Sequence, residues 1–213
     1  MKGMKVMKMG RSSNLLSFFA FMSFIFFMSF MPLAQAEVAV RLETALGVID
    51  IVVDTTHAPM TSTNFLKYVD AGLYDGGRFY RVTRPDNYTP TPPNRPMMEI
   101  IQGGIDPAKR SQARPPIPLE RTSVTGLKHV RGTVSMARAG VDSATTEFFI
   151  LLDDQPSLDF GGKRFDDEQG AAAFGHVTSG LDVVQKIQQQ GPLQEQRKDY
   201  LVTPVTITRV TRK

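Results

Sequence analysis

Three histidines, His57, His129 and His176, are the first residues to which proton transfer or metal binding would be assigned. They share no metal-ligand spacing with one another, and the chain has no cysteine to complete such a set. They read as surface or loop histidines. The absence of cysteine also removes thiol catalysis, cysteine-based zinc sites and disulfide exchange. No serine sits in a G-x-S-x-G elbow, and no G-x-x-x-x-G-K-[ST] phosphate loop exists. The Gly-Gly pairs beginning at Gly76, Gly103 and Gly161 lack dinucleotide-binding spacing. Asp153-Asp154 and Asp166-Asp167-Glu168 read as solvated turns, without the convergence a paired-carboxylate hydrolase needs. No cofactor and no metal are expected.

The elements that would position any site are mostly strands. Val38–Leu42 and Gly47–Val53 are β-branched runs joined by a short turn, which predicts a hairpin. Pro59 is a good first helical residue, Phe65, Leu66 and Val69 share a helical face, and Gly72 supplies a stop. Strands are expected at Arg78–Thr83, Met97–Gln102, Gly132–Ala137, Glu147–Leu152, Ala171–Val177 and Pro204–Val210. A second helix is expected to open at Ser179, with Asp182 in its first turn, and to end at Gly191-Pro192. Nine of the 14 prolines fall between Pro85 and Pro118. Proline blocks both ladder pairing and helix interiors, so this stretch, 85–96 above all, predicts a stiff elaborated rim. About eight strands and two helices favour a mainly β fold: a closed eight-stranded antiparallel barrel capped by two α-helices, because closure removes sheet edges.

The first 36 residues read as an address. Lys2, Lys5, Lys8 and Arg11 precede an uncharged, largely apolar stretch, then Pro32 and Ala34-Gln35-Ala36, the order of a secretory leader cleaved after Ala36. An uncleaved membrane anchor is the alternative, since the run is near bilayer-spanning length. Residues 37–213 remain as one domain. Its 21 basic residues balance 21 acidic ones, so the net charge of +4 belongs to the leader. A neutral domain has no overall charge with which to recruit nucleic acid or anionic lipid. The expectation is an exported monomer, periplasmic in a Gram-negative cell, with no stable membrane insertion once the leader is removed.

Several stretches, in order, resemble the cyclophilins. They are Glu43–Asp54; Ala58-Pro59, Asn64-Phe65 and Tyr68-Val69; Gly72–Gly76; Phe79-Tyr80-Arg81-Val82; Ile101-Gln102-Gly103-Gly104; Gly132–Ala137; Phe148-Phe149-Ile150; Ser157-Leu158-Asp159; and Ala173-Phe174-Gly175. The likeness spans residues 38–210. It implies the eight-stranded barrel and peptidyl-prolyl cis-trans isomerase activity on proline-containing, unfolded or extended polypeptide segments.

Rotation about the bond before proline must break amide resonance, a barrier of roughly 20 kcal/mol. An enzyme need only favour the twisted amide over both planar forms. A pocket that grips the proline ring and a fixed donor beside the twisting nitrogen suffice, and a guanidinium suits the donor role. The resemblance makes Arg81 that donor, Gln102 a ligand of the substrate backbone and Phe149 the pocket floor, with Ile100, Leu158 and Ala137 lining the groove.

The sequence departs from the family at several of these places. Ser157 replaces an aromatic residue, which implies a lost pocket wall and weak binding of cyclosporin. Glu99 takes a groove phenylalanine's place unless Met97 or Met98 fills it. Tyr80 replaces a histidine, Ala171 a later histidine, and Glu147 a glutamine; the Glu147 carboxylate could pair with Arg81 or Arg138. These departures keep a second reading open, a catalytically weak chaperone or assembly module that holds proline segments.

Overall fold

Strict alternation decides which side of each strand faces the interior. In the computed structural model, which describes residues 37–213, eight strands close into one barrel. They are β1 (Glu37–Thr44), β2 (Gly47–Asp54), β3 (Arg78–Thr83), β4 (Ile100–Gly104), β5 (Thr133–Met136), β6 (Phe148–Leu151), β7 (Ala172–Ser179) and β8 (Tyr200–Arg212). Their order around the barrel is β1-β2-β7-β5-β6-β4-β3-β8, and every neighbouring pair is antiparallel. The leader expected over residues 1–36 lies outside the described residues.

The interior is filled by the inward set: Val40, Leu42, Ile49, Ile51, Phe79, Ile101, Val134, Phe148 and Ile207 are all 0–1% exposed. Helix α1 (Pro59–Asp70) adds Phe65, whose ring meets Tyr74, Phe148 and Phe174 at 5.1–5.5 Å between centroids. Its N-cap, Ala58, has no side-chain acceptor. Instead Glu120, 8% exposed, accepts the Met60 and Thr61 N–H groups at 3.0 and 2.7 Å. A carboxylate at a helix N-terminus satisfies otherwise orphaned donors and meets the positive end of the helix dipole. One helical turn, α2 (Thr122–Thr125), and helix α3 (Leu181–Gln188) complete the set. No helix among the described residues is long and apolar enough to cross a membrane.

Several boundaries differ from expectation: β4 runs over Ile100–Gly104 rather than Met97–Gln102, α3 ends at Gln188 before Gly191-Pro192, and two further shifts have a clear cause. Ser179 does not open α3: it ends β7 opposite Asp50, and the cap is Gly180 at φ +86°, a left-handed geometry that suits glycine. Strand β8 begins at Tyr200 rather than Pro204. Its pairing to β3 jumps from Tyr200 to Val205, so the missing N–H of Pro204 falls where the ladder is already interrupted.

Candidate functional site

One row of the barrel ladder carries the site. Cross-strand partners project on the same face of a sheet, with strands roughly 4.8 Å apart. Tyr200 faces Arg81, Arg81 faces Gln102, Gln102 faces Phe149, and Phe149 faces Ser135. A guanidinium, an amide and a benzyl ring are thus set side by side on the outside of the barrel. The register of β3 slips between Phe79 and Arg81 against both neighbours. Such a bulge inserts an extra residue and re-aims the side chains around it. Phe79 stays fully buried in the interior, while Tyr80 and Arg81 both join the outer polar network.

That network is a chain of hydrogen bonds. Arg81 Nε donates to Asp199 Oδ2 at 2.6 Å and Nη1 to Gln102 Oε1 at 3.0 Å. Gln102 Nε2 donates to the Tyr80 hydroxyl at 2.9 Å, which donates to Glu147 Oε2 at 2.7 Å. Burial, and then the Glu147 carboxylate, holds the Tyr80 phenol well above its ordinary value, so it stays a neutral hydroxyl. Gly104 makes room for this arrangement: a Cβ there would lie 2.5 Å from a Glu147 carboxylate oxygen. Of the five N–H donors of a guanidinium, Arg81 commits one from Nε and one from Nη1. Its others remain available beside the hollow.

The hollow itself has a volume of about 220 Å³. All six residues expected at the site, Arg81, Gln102, Phe149, Ile100, Leu158 and Ala137, line it. Its floor is a second apolar cluster, separate from the barrel interior. Ile100, Phe149, Leu151 and Leu158 form it with Met98 and Ala171, and Ala137 and Phe165 pack against it. The separation follows from alternation. On β6, Phe148 and Ile150 point inward, and Phe149 and Leu151 outward. Beneath the floor, His129 is 1% exposed; its ring stacks on Phe149 at 6.5 Å, with Nδ1 2.8 Å from Asp159 and Nε2 3.0 Å from Ser135 Oγ. A larger cleft, about 600 Å³, lies between α1 and residues 114–118, but no aromatic ring lines it.

A fixed cation beside an apolar hollow can act on an amide without covalent chemistry. Residues 39–212 match the family described as cyclophilin type peptidyl-prolyl cis-trans isomerase/CLD. The chain belongs to the cyclophilin family. It is 36% identical over 151 residues to peptidyl-prolyl cis-trans isomerase A of Dickeya dadantii, covering 70% of each chain. It is 33% identical over 168 residues to peptidyl-prolyl cis-trans isomerase B of Escherichia coli, covering 75% of this chain and 94% of that one. Its fold is similar to a Cryptosporidium parvum cyclophilin-type isomerase, at a TM-score of 0.64 and 19% identity over 83% of this chain and 98% of that one. This cyclophilin is therefore an enzyme of prolyl bond rotation, and its substrates are proline-containing peptide segments.

Several details of the cyclophilin groove differ from the sequence reading. Glu147 pairs with neither Arg81 nor Arg138: it takes the Tyr80 hydroxyl, while Arg81 is held by Asp199 and Arg138 by Asp167. Met98, not Glu99, supplies the wall before Ile100, because Met98 shares strand parity with Ile100 and Gln102. Ser157 does not line the hollow, yet the aromatic wall is not lost. Phe165, from the turn after it, lines the hollow, with the Arg138 guanidinium 3.8 Å from its ring centroid.

Asp153, Asp154, Asp166, Asp167 and Glu168 are exposed, as a reading of solvated turns expects, but two of them also hold arginines. Asp167 forms a two-pronged pair with Arg138, whose side chain is 1% exposed, and Asp166 meets Arg95 at 2.5 Å. His129, read as a surface or loop residue, is buried under the floor, whereas His57 and His176 are exposed. Asp199, Tyr200, Arg138, Arg164 and Phe165 went unassigned from sequence. No local pattern marks them: Tyr200, Arg138, Arg164 and Phe165 reach the hollow only through pairing or a turn remote in the chain, and Asp199 reaches it only by holding Arg81. The proline-rich stretch 85–96 does form a loop rim. Tyr88 on it places its ring 5.4 Å from the Arg81 guanidinium carbon and 5.9 Å from that of Arg164.

Proposed function

We propose that Arg81 is the catalytic donor of this cyclophilin and that its substrates are exported proteins. The proline ring enters the hollow over Phe149, Ile100 and Leu158. The second N–H of the Gln102 amide meets the substrate backbone. As the amide twists, its nitrogen gains lone-pair character, and an uncommitted N–H of Arg81 donates to it. The planar ground states lack that lone pair, so the bond favours the twisted state selectively, which is what lowers a barrier. Asp199 and Gln102 hold the guanidinium in place beforehand, and no reorganisation is needed at the moment of rotation.

The observation that carries this reading is the Arg81 side chain, 16% exposed and fixed between Asp199 and Gln102 at the edge of an aromatic-floored hollow. Exchange spectroscopy on an X-Pro peptide tests it. The wild type should accelerate exchange, and Arg81→Ala should lose about 10- to 1,000-fold of that acceleration, the range seen when preorganised donors are removed. Unchanged acceleration in the variant would remove Arg81 from the mechanism. Export rests on the charge and hydropathy order of residues 1–36. Fractionation of producing cells, with mass measurement of the product, should recover a chain beginning at Glu37 in the exported fraction; a cytosolic chain retaining those residues would contradict it.

A further inference from the structure

Three arginines line the hollow, and only two are neutralised. Arg81 pairs with Asp199 and Arg138 with Asp167. The third, Arg164, is 8% exposed. Its side chain makes one hydrogen bond, from Nη2 to the Tyr88 hydroxyl at 2.9 Å, and its Nε is buried without a partner. The acids on its own turn are engaged elsewhere: Asp159 with His129, Asp166 with Arg95, Asp167 with Arg138 and Glu168 with Lys163. No aspartate or glutamate is among the residues lining the hollow.

A second unmet polar atom lies on the same turn. Ser157 Oγ is also buried without a partner, on the residue whose carbonyl accepts the Arg164 N–H at 3.0 Å. Two of the three such side-chain atoms among the described residues therefore fall here, beside the groove. Burial pulls the Arg164 guanidinium below its ordinary value, and Arg81 and Arg95 push the same way against Tyr88. Arginine remains charged regardless at neutral pH. A buried cation without a counter-charge is costly, and a carboxylate arriving with the substrate would relieve that cost.

We infer that Arg164 is a specificity residue, taking the side-chain carboxylate of an aspartate or glutamate next to the substrate proline. This cyclophilin thereby favours acidic X-Pro segments over basic ones. The inference rests on the proposed seating of proline over Phe149, which brings the flanking residues to Arg164. A neutral carbonyl could fill the hydrogen bond but would leave the positive charge unbalanced, and a lysine there would add to it.

The test uses short peptides with Glu, Gln or Lys immediately before or after proline, compared by kcat/KM in one enzyme preparation. The wild type should prefer Glu to Lys by about tenfold at one of the two positions, as desolvated charge complementarity gives, and added salt should shrink the ratio. In Arg164→Gln the ratio should fall to near one; in Arg164→Lys part of it should return. Tyr88→Phe, which cuts the tie but keeps the charge, should preserve it. Each ratio is internal to one variant, so loss of folded protein cancels. A wild-type ratio near one, or a preference that survives Arg164→Gln, would overturn the inference while leaving isomerisation intact. Failure of the wild type to accelerate any peptide would overturn the seating of proline and this inference together.

Discussion

Phe148 and Phe149 are adjacent in sequence and serve different regions. Phe148 belongs to the barrel interior, ringed by Phe65, Tyr74 and Phe79, whereas Phe149 forms the floor of the outer hollow. The interior is apolar and built by alternation together with α1. The hollow shares that alternation only in its floor. Its rim comes from turns and strand ends far apart in the chain: Met98 before β4, Arg164 and Phe165 in the turn after Leu158, and Tyr200 at the start of β8, with Asp199 beside it holding Arg81 from outside the lining. In the proposed mechanism, strands set where the proline ring sits, and remote polar residues set what is done to it.

Removing the floor should do the most damage. Phe149→Ala leaves a void in a cluster that is 4% exposed at that residue, so about 3 kcal/mol of stability should be lost. In chemical denaturation and peptide-exchange assays, kcat/KM should fall by about two orders of magnitude. A variant with normal activity would show that the hollow does not seat proline.

A rim charge should matter next. Asp199→Asn keeps an acceptor for Arg81 Nε but loses the counter-charge. The expected loss is about tenfold in kcat with KM little changed, as for a positioning partner that holds the donor rather than the substrate. A change confined to KM would place Asp199 in binding instead.

The support beneath the floor can be read by pH. Burial would raise the Asp159 carboxyl, but hydrogen bonds from the His129 ring and backbone outweigh it, and the net effect is below the ordinary carboxylate value. A carboxyl depressed in the folded state contributes stability that is complete above its unfolded value of roughly 3.9 and is lost as pH falls through the lower folded value. Asp159→Asn should therefore cost about 1–2 kcal/mol at neutral pH, and its deficit against wild type should close as pH falls below about 4. Parallel stability curves down to acid would contradict that coupling.

The smallest effect is expected at the replacement wall. Phe165→Ala should raise KM by about threefold, with kcat nearly constant, since uniform binding is removed. An unaltered KM would mean that Phe165 packs on Arg138 without touching substrate.

What was legible in the sequence follows the same division. Alternation and turn residues gave the strand count, and closure followed from it. Ile100, Gln102 and Phe149 were assigned through the family resemblance, and local strand parity then explains why they share the outer face. Arg81 was recognisable only through its resemblance to a family motif, since an arginine on a strand is otherwise an ordinary surface residue. The β3 bulge that turns it toward Gln102 has no signature in Arg78–Thr83. Arg164 and Phe165 were invisible because a turn's side chains meet the groove only after Leu158, Gly162 and Gly170 have set its path. Glu147 shows the limit of pairing by charge: its position predicted an arginine partner, and the space above Gly104 brought it to Tyr80 instead.

In the proposed mechanism the Arg81 guanidinium acts on the twisted amide and contributes little to holding the planar one. Line-shape and exchange measurements on one X-Pro peptide, titrated against wild type and Arg81→Ala, give Kd and the on-enzyme rotation rate together. The variant should bind within about threefold of wild type while its rotation rate drops by at least about tenfold. Rotation that stays fast in the variant, or a rate loss accounted for wholly by weaker binding, would contradict it.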